Sequence, residues 1–247
     1  MRETRLLMGM PITVDIGGPA GVTLIDAVFD YLDAVDQRFS TYRGDSEISA
    51  INSGNVSVRD CSAAMKEILA LAERTKNETG GYFNIRRPDG ALDPSGIVKG
   101  WAIRNAAQIV QQGGVADYFI EAGGDIQSRG VNASGLDWSV GIRNPFNAEE
   151  IIKIIYPRGR GVATSGTYVR GQHIYNPLGT GAPIVEIVSL TVVGGDVLEA
   201  DRFATAAFAM GRDGILFLEQ APGLEGYLVD GNGRATPTSG FAVFCQQ

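Results

Sequence analysis

Leu92-Asp93-Pro94-Ser95-Gly96-Ile97-Val98-Lys99-Gly100-Trp101 is the stretch on which the reading of this chain turns. A proline at the threshold of an apolar run, flanked by Asp and Ser, marks a helix N-terminus. The exposed backbone N–H groups and the positive end of the helix dipole make an anion site there. Lys99, one turn in, sets a full positive charge beside bound phosphates. Read alone, the same residues also describe an ordinary capped helix with a surface lysine. Beyond Ser95, the residues Ile97, Trp101, Ala102, Ala106, Ile109 and Val110 recur at helical spacing until Gly113-Gly114 ends the run.

The chain before this helix reads as mainly helical. Met65, Ile68, Leu69 and Ala72 share one face of a helix from Ser62 to about Lys76, stopped by Gly80-Gly81. Ile25, Val28, Phe29, Leu32, Val35 and Phe39 give an amphipathic helix of about four turns. Residues 6–16 read as a strand pair or bent strand. Behind the pivot helix, β-branched segments predict strands at 115–121, 137–143, 151–156, 161–165, 186–193, 225–230 and 241–245. Between them, a helix is expected from Glu199 to Met210, and a last short one with Asp213 as its N-cap. Helices in front and strands behind define an α+β protein, not a regular βαβ alternation.

Composition narrows the function classes. Thirty-three of 247 residues are glycine, nearly double the usual share of roughly 7%. That suits tight turns and backbone in close contact with a ligand. Twenty-eight acidic against 21 basic side chains give a formal charge of −7, and no Lys/Arg cluster runs along the chain, which argues against nucleic acid as the main partner. Cys61 and Cys245 are the only cysteines and show no metal or redox spacing. No stretch of apolar residues is long enough to span a membrane, and the first residues lack the apolar core of a signal peptide. A cytoplasmic location is therefore expected. No repeat or linker divides residues 1–247, so one domain of two interleaved lobes is expected.

Three further constellations bear on chemistry. In Glu199-Ala200-Asp201-Arg202-Phe203-Ala204-Thr205, a carboxylate and a hydroxyl four residues apart share a helix face. With a backbone carbonyl from elsewhere they would suit Mg²⁺, while a helix cap and a half-buried hydroxyl are the plainer alternative. His173, the sole histidine, stands in His173-Ile174-Tyr175-Asn176-Pro177-Leu178-Gly179-Thr180-Gly181, after Thr164-Ser165-Gly166. These Gly/Thr/Ser-rich loops suit a ligand-facing surface, and a histidine there can serve as a general base. Glu121-Ala122-Gly123-Gly124-Asp125-Ile126 reads by itself as a strand-end turn.

Taken in order, these motifs resemble the ApbE family of FAD:protein FMN transferases, or flavin transferases. Met8-Gly9-Met10, Phe39-Ser40-Thr41-Tyr42-Arg43-Gly44-Asp45-Ser46-Glu47-Ile48, Asn52, and Gly81-Tyr82-Phe83-Asn84 extend the match through the front half. The resemblance implies an α+β, T-fold-related architecture, with mixed or antiparallel sheets flanked by helices and a ligand cleft between two lobes. It implies cleavage of FAD at its pyrophosphate, with FMN joined through its phosphate to a Thr or Ser hydroxyl of an acceptor protein and AMP released. It also implies Mg²⁺ held by Asp201, Thr205 and the carbonyl of Gly96. Nucleotide contacts fall on Met8, Tyr42, Phe83, Asn84, Asp93, Lys99 and Ile174, and the catalytic base falls on His173. FAD diphosphatase activity and non-catalytic FAD binding are the competing expectations. Two positions depart from the family pattern: Asn84 and Asn176 stand where Asp is usual, each removing a charge but keeping hydrogen bonds. The stretch between Phe83 and Asp93 is also short for the family.

Overall fold

The computed structural model describes residues 1–17, 21–167, 174–179 and 183–246. The chain opens with a hairpin, β1 (Arg2–Leu7) and β2 (Met10–Ile16), the strand pair anticipated for residues 6–16. Met8 and Gly9 form its two-residue turn at φ 54° and 73°. Positive φ at both central residues matches the turn to the twist of the strands. The helices α1 (Gly21–Phe39), α2 (Glu47–Asn52), α3 (Ala63–Glu78) and α4 (Ser95–Gln112) follow. Then come β3 (Tyr118–Ala122), β4 (Asp125–Arg129), β5 (Val140–Asn144), β6 (Asn147–Ile155), β7 (Gly161–Gly166) and β8 (Ile187–Gly194). The chain closes with α5 (Val197–Ala209), α6 (Gly214–Gln220), β9 (Glu225–Asp230) and β10 (Ala235–Pro237).

Among the described residues, eight strands form one sheet in the order β1-β2-β3-β4-β7-β8-β9-β10, and β5-β6 pair separately. Every pairing is antiparallel. Register follows from two-residue alternation. Ile12, Val14 and Ile16 lie opposite Ala122, Ile120 and Tyr118, and all of these pack into the core beneath α1, α3 and α4. Leu190, Val192 and Leu228 meet α5 and α6 on the same side of the sheet. The alternate residues Val193, Tyr227 and Val229 face the other side, where Val140, Ile142 and Ile155 of the hairpin cover them. Helices thus occupy one face, and the β5–β6 hairpin the other.

Several boundaries differ from expectation. Residues 241–245 form a 3₁₀ turn, not a strand: Phe241 and Phe244, three apart, fall on one side of such a turn and bury together. Asp196 is the N-cap of α5, accepting from Glu199 N at 2.9 Å, so the helix starts two residues earlier than Glu199. Asp213 precedes α6 without a side-chain cap. Gly123 and Gly124, both at positive φ, make the turn that starts β4, a strand the β-branched pattern did not reveal.

The opening for a site arises where the sheet parts. β4 and β7 pair only at Ile126–Val162 and Gln127–Gly161. Beyond that point β7 diverges, and Asp125 Oδ1 accepts the Thr164 N–H at 3.1 Å.

Candidate functional site

The floor of the site is the contact between α4 and α5. A Cβ on Gly100 would stand 2.7 Å from Asp201 Cβ and 2.9 Å from the Val197 carbonyl, and one on Gly96 would stand 3.1 Å from Thr205 Cγ2. Hydrogen at Gly100 lets the helices approach this closely, and at Gly96 an added Cβ would press on the Thr205 methyl. Asp201 and Thr205, one turn apart on α5, therefore face the N-terminal half of α4. Asp201 Oδ2 accepts the Gly100 N–H at 2.8 Å, and Thr205 Oγ1 lies 3.4 Å from the Gly96 carbonyl oxygen. Lys99 Nζ reaches Asp125 Oδ2 at 2.7 Å. Burial raises the Asp201 carboxyl well above the ordinary carboxylate range; the adjacent Asp125 carboxylate adds to the rise, and Lys99 opposes it. With Asp201 holding its proton, the Asp125 carboxylate and the Lys99 ammonium balance each other on the floor.

A cavity of about 410 Å³ lies over this floor. It is bounded by Gly141–Arg143 of β5, by Thr164–Gly166 where β7 has left β4, and by the loop carrying Tyr82–Ile85. That loop is fixed from two directions. The Asn52 side chain bonds both the N–H and the carbonyl of Leu92, at 2.8 and 2.9 Å, tying α2 to the approach to α4. Asp93 Oδ1 takes the Ser95 N–H at 3.1 Å, so the aspartate, not a residue at the N-cap itself, helps satisfy the helix start.

The structure brings most of the sequence-derived site residues together. Phe83, Asn84, Asp93, Gly96, Lys99, Ile174, Asp201 and Thr205 all line the cavity. Met8 and Tyr42 are not among its lining residues: Met8 sits in the β1–β2 turn against the helical core, and the Tyr42 side chain is 98% exposed. His173 lies outside the described residues; Gly166 before it and Ile174 after it border the cavity. Arg202, inside the α5 motif, is structural. It is 3% exposed and joins Glu199, Glu78 and the Thr75 hydroxyl, tying α5 to α3.

At the two departures, Asn84 Oδ1 accepts the Arg86 N–H and Asn176 Oδ1 the Leu178 N–H, each at 2.9 Å. An aspartate would accept these same bonds, so the local turns do not depend on the charge. Sequence reading missed Arg87 and Arg143 in the cavity wall. Neither carries a motif, because each belongs to a loop or hairpin whose position over the cleft is set by distant packing. The Tyr175 hydroxyl is pushed up by burial, with the nearby Arg87 guanidinium pulling it back.

A helix N-terminus, an ammonium, and carboxylate, hydroxyl and carbonyl oxygens converge on one cavity, a combination whose chemistry suits a phosphate-bearing ligand. Among the described residues no three or more His, Cys, Asp or Glu side chains group to hold a metal, so any cation here would rely on mixed oxygen donors. The chain belongs to the ApbE family, whose model matches residues 8–87 and 85–228. A FAD:protein FMN transferase of Escherichia coli K12 is 27% identical over 269 residues, covering 84% of this chain and 76% of that protein. One from Vibrio cholerae is 35% identical over 136 residues, 51% of this chain and 40% of that protein. The structure of the V. cholerae flavin transferase ApbE superposes with a TM-score of 0.87 at 26% identity, covering 99% of this chain and 98% of that one. The Thermotoga maritima ApbE protein, at 22% identity and TM-score 0.88 over 100% and 99% of the two chains, shares the fold. No helix among the described residues is long and apolar enough to cross a membrane.

Proposed function

We propose that this chain is a flavin transferase that cleaves FAD and attaches FMN to a Thr or Ser hydroxyl of an acceptor protein. The observation that carries this reading is the convergence of Gly96, Lys99, Asp201 and Thr205 on one cavity in a chain of the ApbE family. In the reaction, the acceptor hydroxyl oxygen bonds to the FMN phosphorus, the anhydride P–O bond breaks, and AMP departs with the bridging oxygen. Lys99 and the N-terminal turn of α4 face the diphosphate and meet the charge that grows on the departing phosphate. Asp93, at the cavity wall, accepts hydrogen bonds from the adenosine half. Tyr42, whose exposed ring lies outside the cavity lining, is the residue that the family resemblance assigns to stacking on the flavin. His173 receives the hydroxyl proton, since an unassisted hydroxyl is a poor nucleophile near neutral pH.

Asp201, Thr205 and the Gly96 carbonyl are the residues that would hold Mg²⁺. The donor set fits: all three are hard oxygen ligands, and Mg²⁺ typically uses one or two carboxylates with water and substrate phosphate completing its shell. When bound, the cation supplies neutralisation of phosphoryl charge.

The test mixes the full chain with FAD, Mg²⁺ and a flavin-accepting domain and reads flavin fluorescence on a denaturing gel. A fluorescent acceptor band together with released AMP is expected. Free FMN and AMP without labelled acceptor would establish hydrolysis, and FAD held unchanged over hours would establish binding alone.

A further inference from the structure

Asp125 is 0% exposed and is the first residue of β4, directly after the Gly123-Gly124 turn. Its two oxygens serve different elements. Oδ1 accepts the Thr164 N–H at 3.1 Å, just where β7 leaves β4, and Thr164 is itself fixed by its hydroxyl, 2.9 Å from that of Thr191 on β8. Oδ2 faces Lys99 Nζ at 2.7 Å. The carboxylate therefore joins the sheet, the diverging strand and the N-terminal half of α4, and it also bonds the Asp201 carboxyl on α5.

The Lys99 side chain is 15% exposed and lines the cavity. A lysine is a point charge on a flexible four-carbon stem, and the Asp125 contact narrows where its ammonium stands over the cavity floor. A buried ion pair contributes little to stability, because desolvation offsets attraction. What it does supply is a fixed position for the charge, and charge already in place costs no rearrangement when the reacting phosphate needs it.

We propose that Asp125 is a positioning residue for flavin transfer: anchored on the sheet through the Thr164 amide, it holds the Lys99 ammonium at the start of α4, against the FAD diphosphate. The proposal rests on the reading of Lys99 as a diphosphate contact. It assigns to the Gly-Gly-Asp turn a role beyond shaping the hairpin, and it makes the ammonium's effectiveness depend on a residue that does not itself touch the substrate.

The test compares Asp125→Asn, Lys99→Gln and the double variant, with the full chain, FAD, saturating Mg²⁺ and the acceptor domain. Asn keeps the acceptor for Thr164 and removes the Asp125 charge that faces Lys99 and Asp201, and saturating Mg²⁺ separates an effect through Asp201 from one through Lys99. The expected result is a fall in kcat of about 10- to 100-fold for Asp125→Asn, the scale that misplacement by about 1 Å produces. FAD affinity, read by flavin fluorescence without turnover, should change less than about threefold. Adding Asp125→Asn to Lys99→Gln should cost no more than about threefold in kcat, as residues acting through one another are non-additive. That comparison also serves if Asp125→Asn alone folds poorly, because the double variant removes both buried charges together.

Wild-type kcat in Asp125→Asn, or losses that multiply in the double variant, would overturn the proposal. So would an increased Mg²⁺ requirement with kcat restored at saturation, which would make the cation the group Asp125 serves. A Lys99→Gln variant with normal turnover and FAD affinity would overturn both the proposal and the reading of Lys99; normal behaviour in Asp125→Asn alone overturns only the former.

Discussion

On the cavity floor, Gly100, Asp125 and Asp201 are buried and joined by contacts between residues far apart in the chain: the Gly100–Asp201 bond spans 101 positions and the Asp125–Thr164 bond 39. In the hairpin wall, Phe146, Ile151 and Ile154 are 58, 45 and 52% exposed. The inward residues Val140, Ile142 and Ile155 join a core, with Ile152 half-buried against it. The floor has no room for an added methyl group. The wall is free on its outer side, even though its β5 strand borders the same cavity. Under the proposed function the contrast separates two demands on one site: groups that meet phosphate charge must not move, whereas the flank has only to enclose the ligand.

The sharpest way to break that contrast is at Asp201. Replacing it by Ala removes the carboxylate assigned to Mg²⁺, a contribution of several kcal/mol to transition-state stabilisation. At about 1.4 kcal/mol per tenfold, turnover should fall on the order of 100-fold or more, measured as AMP release from FAD with the protein still folded by circular dichroism. Near-normal AMP release would remove Asp201 from the chemistry and leave the floor a packing device.

Gly100→Ala tests the packing directly. The new Cβ would lie 2.7 Å from Asp201 Cβ and 2.9 Å from backbone, so the helices must separate. Overpacking of this kind costs about 1–3 kcal/mol, measurable by denaturant unfolding, and turnover should fall with it because α4 and α5 carry opposite sides of the site. A fully stable, fully active variant would mean that the helix contact has slack and that the floor is no tighter than the wall.

The same contrast shows what sequence could reveal. The helical spacing of Ile97, Trp101 and Ala106, and the alternation of Ile12, Val14 and Ile16, are local signals, and the elements they specify formed. Asp201 with Thr205 was legible as a pair because four residues on a helix make one face. Asp125 was not, because its meaning lies in two contacts, one with Lys99 and one with Thr164, that depend on how the sheet splits. The misread segment 241–245 shows the limit of composition: Phe, Val and Cys suit a strand, but the three-residue interval between Phe241 and Phe244 suited a tighter turn. The Ser46 motif near Tyr42 was recognisable without its reason. Ser46, 0% exposed, donates to the Ser40 and Arg43 carbonyls and accepts from Ser49 N, shaping the loop that leaves Tyr42 exposed.

A pH series sharpens the floor's electrostatics. The Asp201 carboxyl rises from its ordinary 3.8 to about 8, chiefly through burial. The folded chain then keeps a proton that the unfolded chain has already released, so this group's contribution to stability declines as pH rises through that window. A cation at the carboxylate replaces the proton. The Mg²⁺-induced rise in Tm should therefore be larger at pH 8.5 than at pH 6, by roughly 2–4 °C for each kcal/mol of added binding. Asp201→Asn should abolish both the decline and the difference. An equal Mg²⁺ effect at the two pH values would place the cation away from Asp201.

The smallest effect is expected on the wall. Ile154, opposite Gly141 in the hairpin, points outward, so Ile154→Ser removes little that is buried. Surface substitutions of this kind stay within about 0.5 kcal/mol, and denaturant midpoints should barely move. The inward neighbour Ile155, 0% exposed, supplies the control, since Ile155→Ala should cost about 2–5 kcal/mol as a buried large-to-small change. The pair tests one-residue alternation within a single strand. Comparable losses at both positions would mean that the outer face is covered in solution, and the distinction between an enclosed floor and an open wall would then fail at the wall.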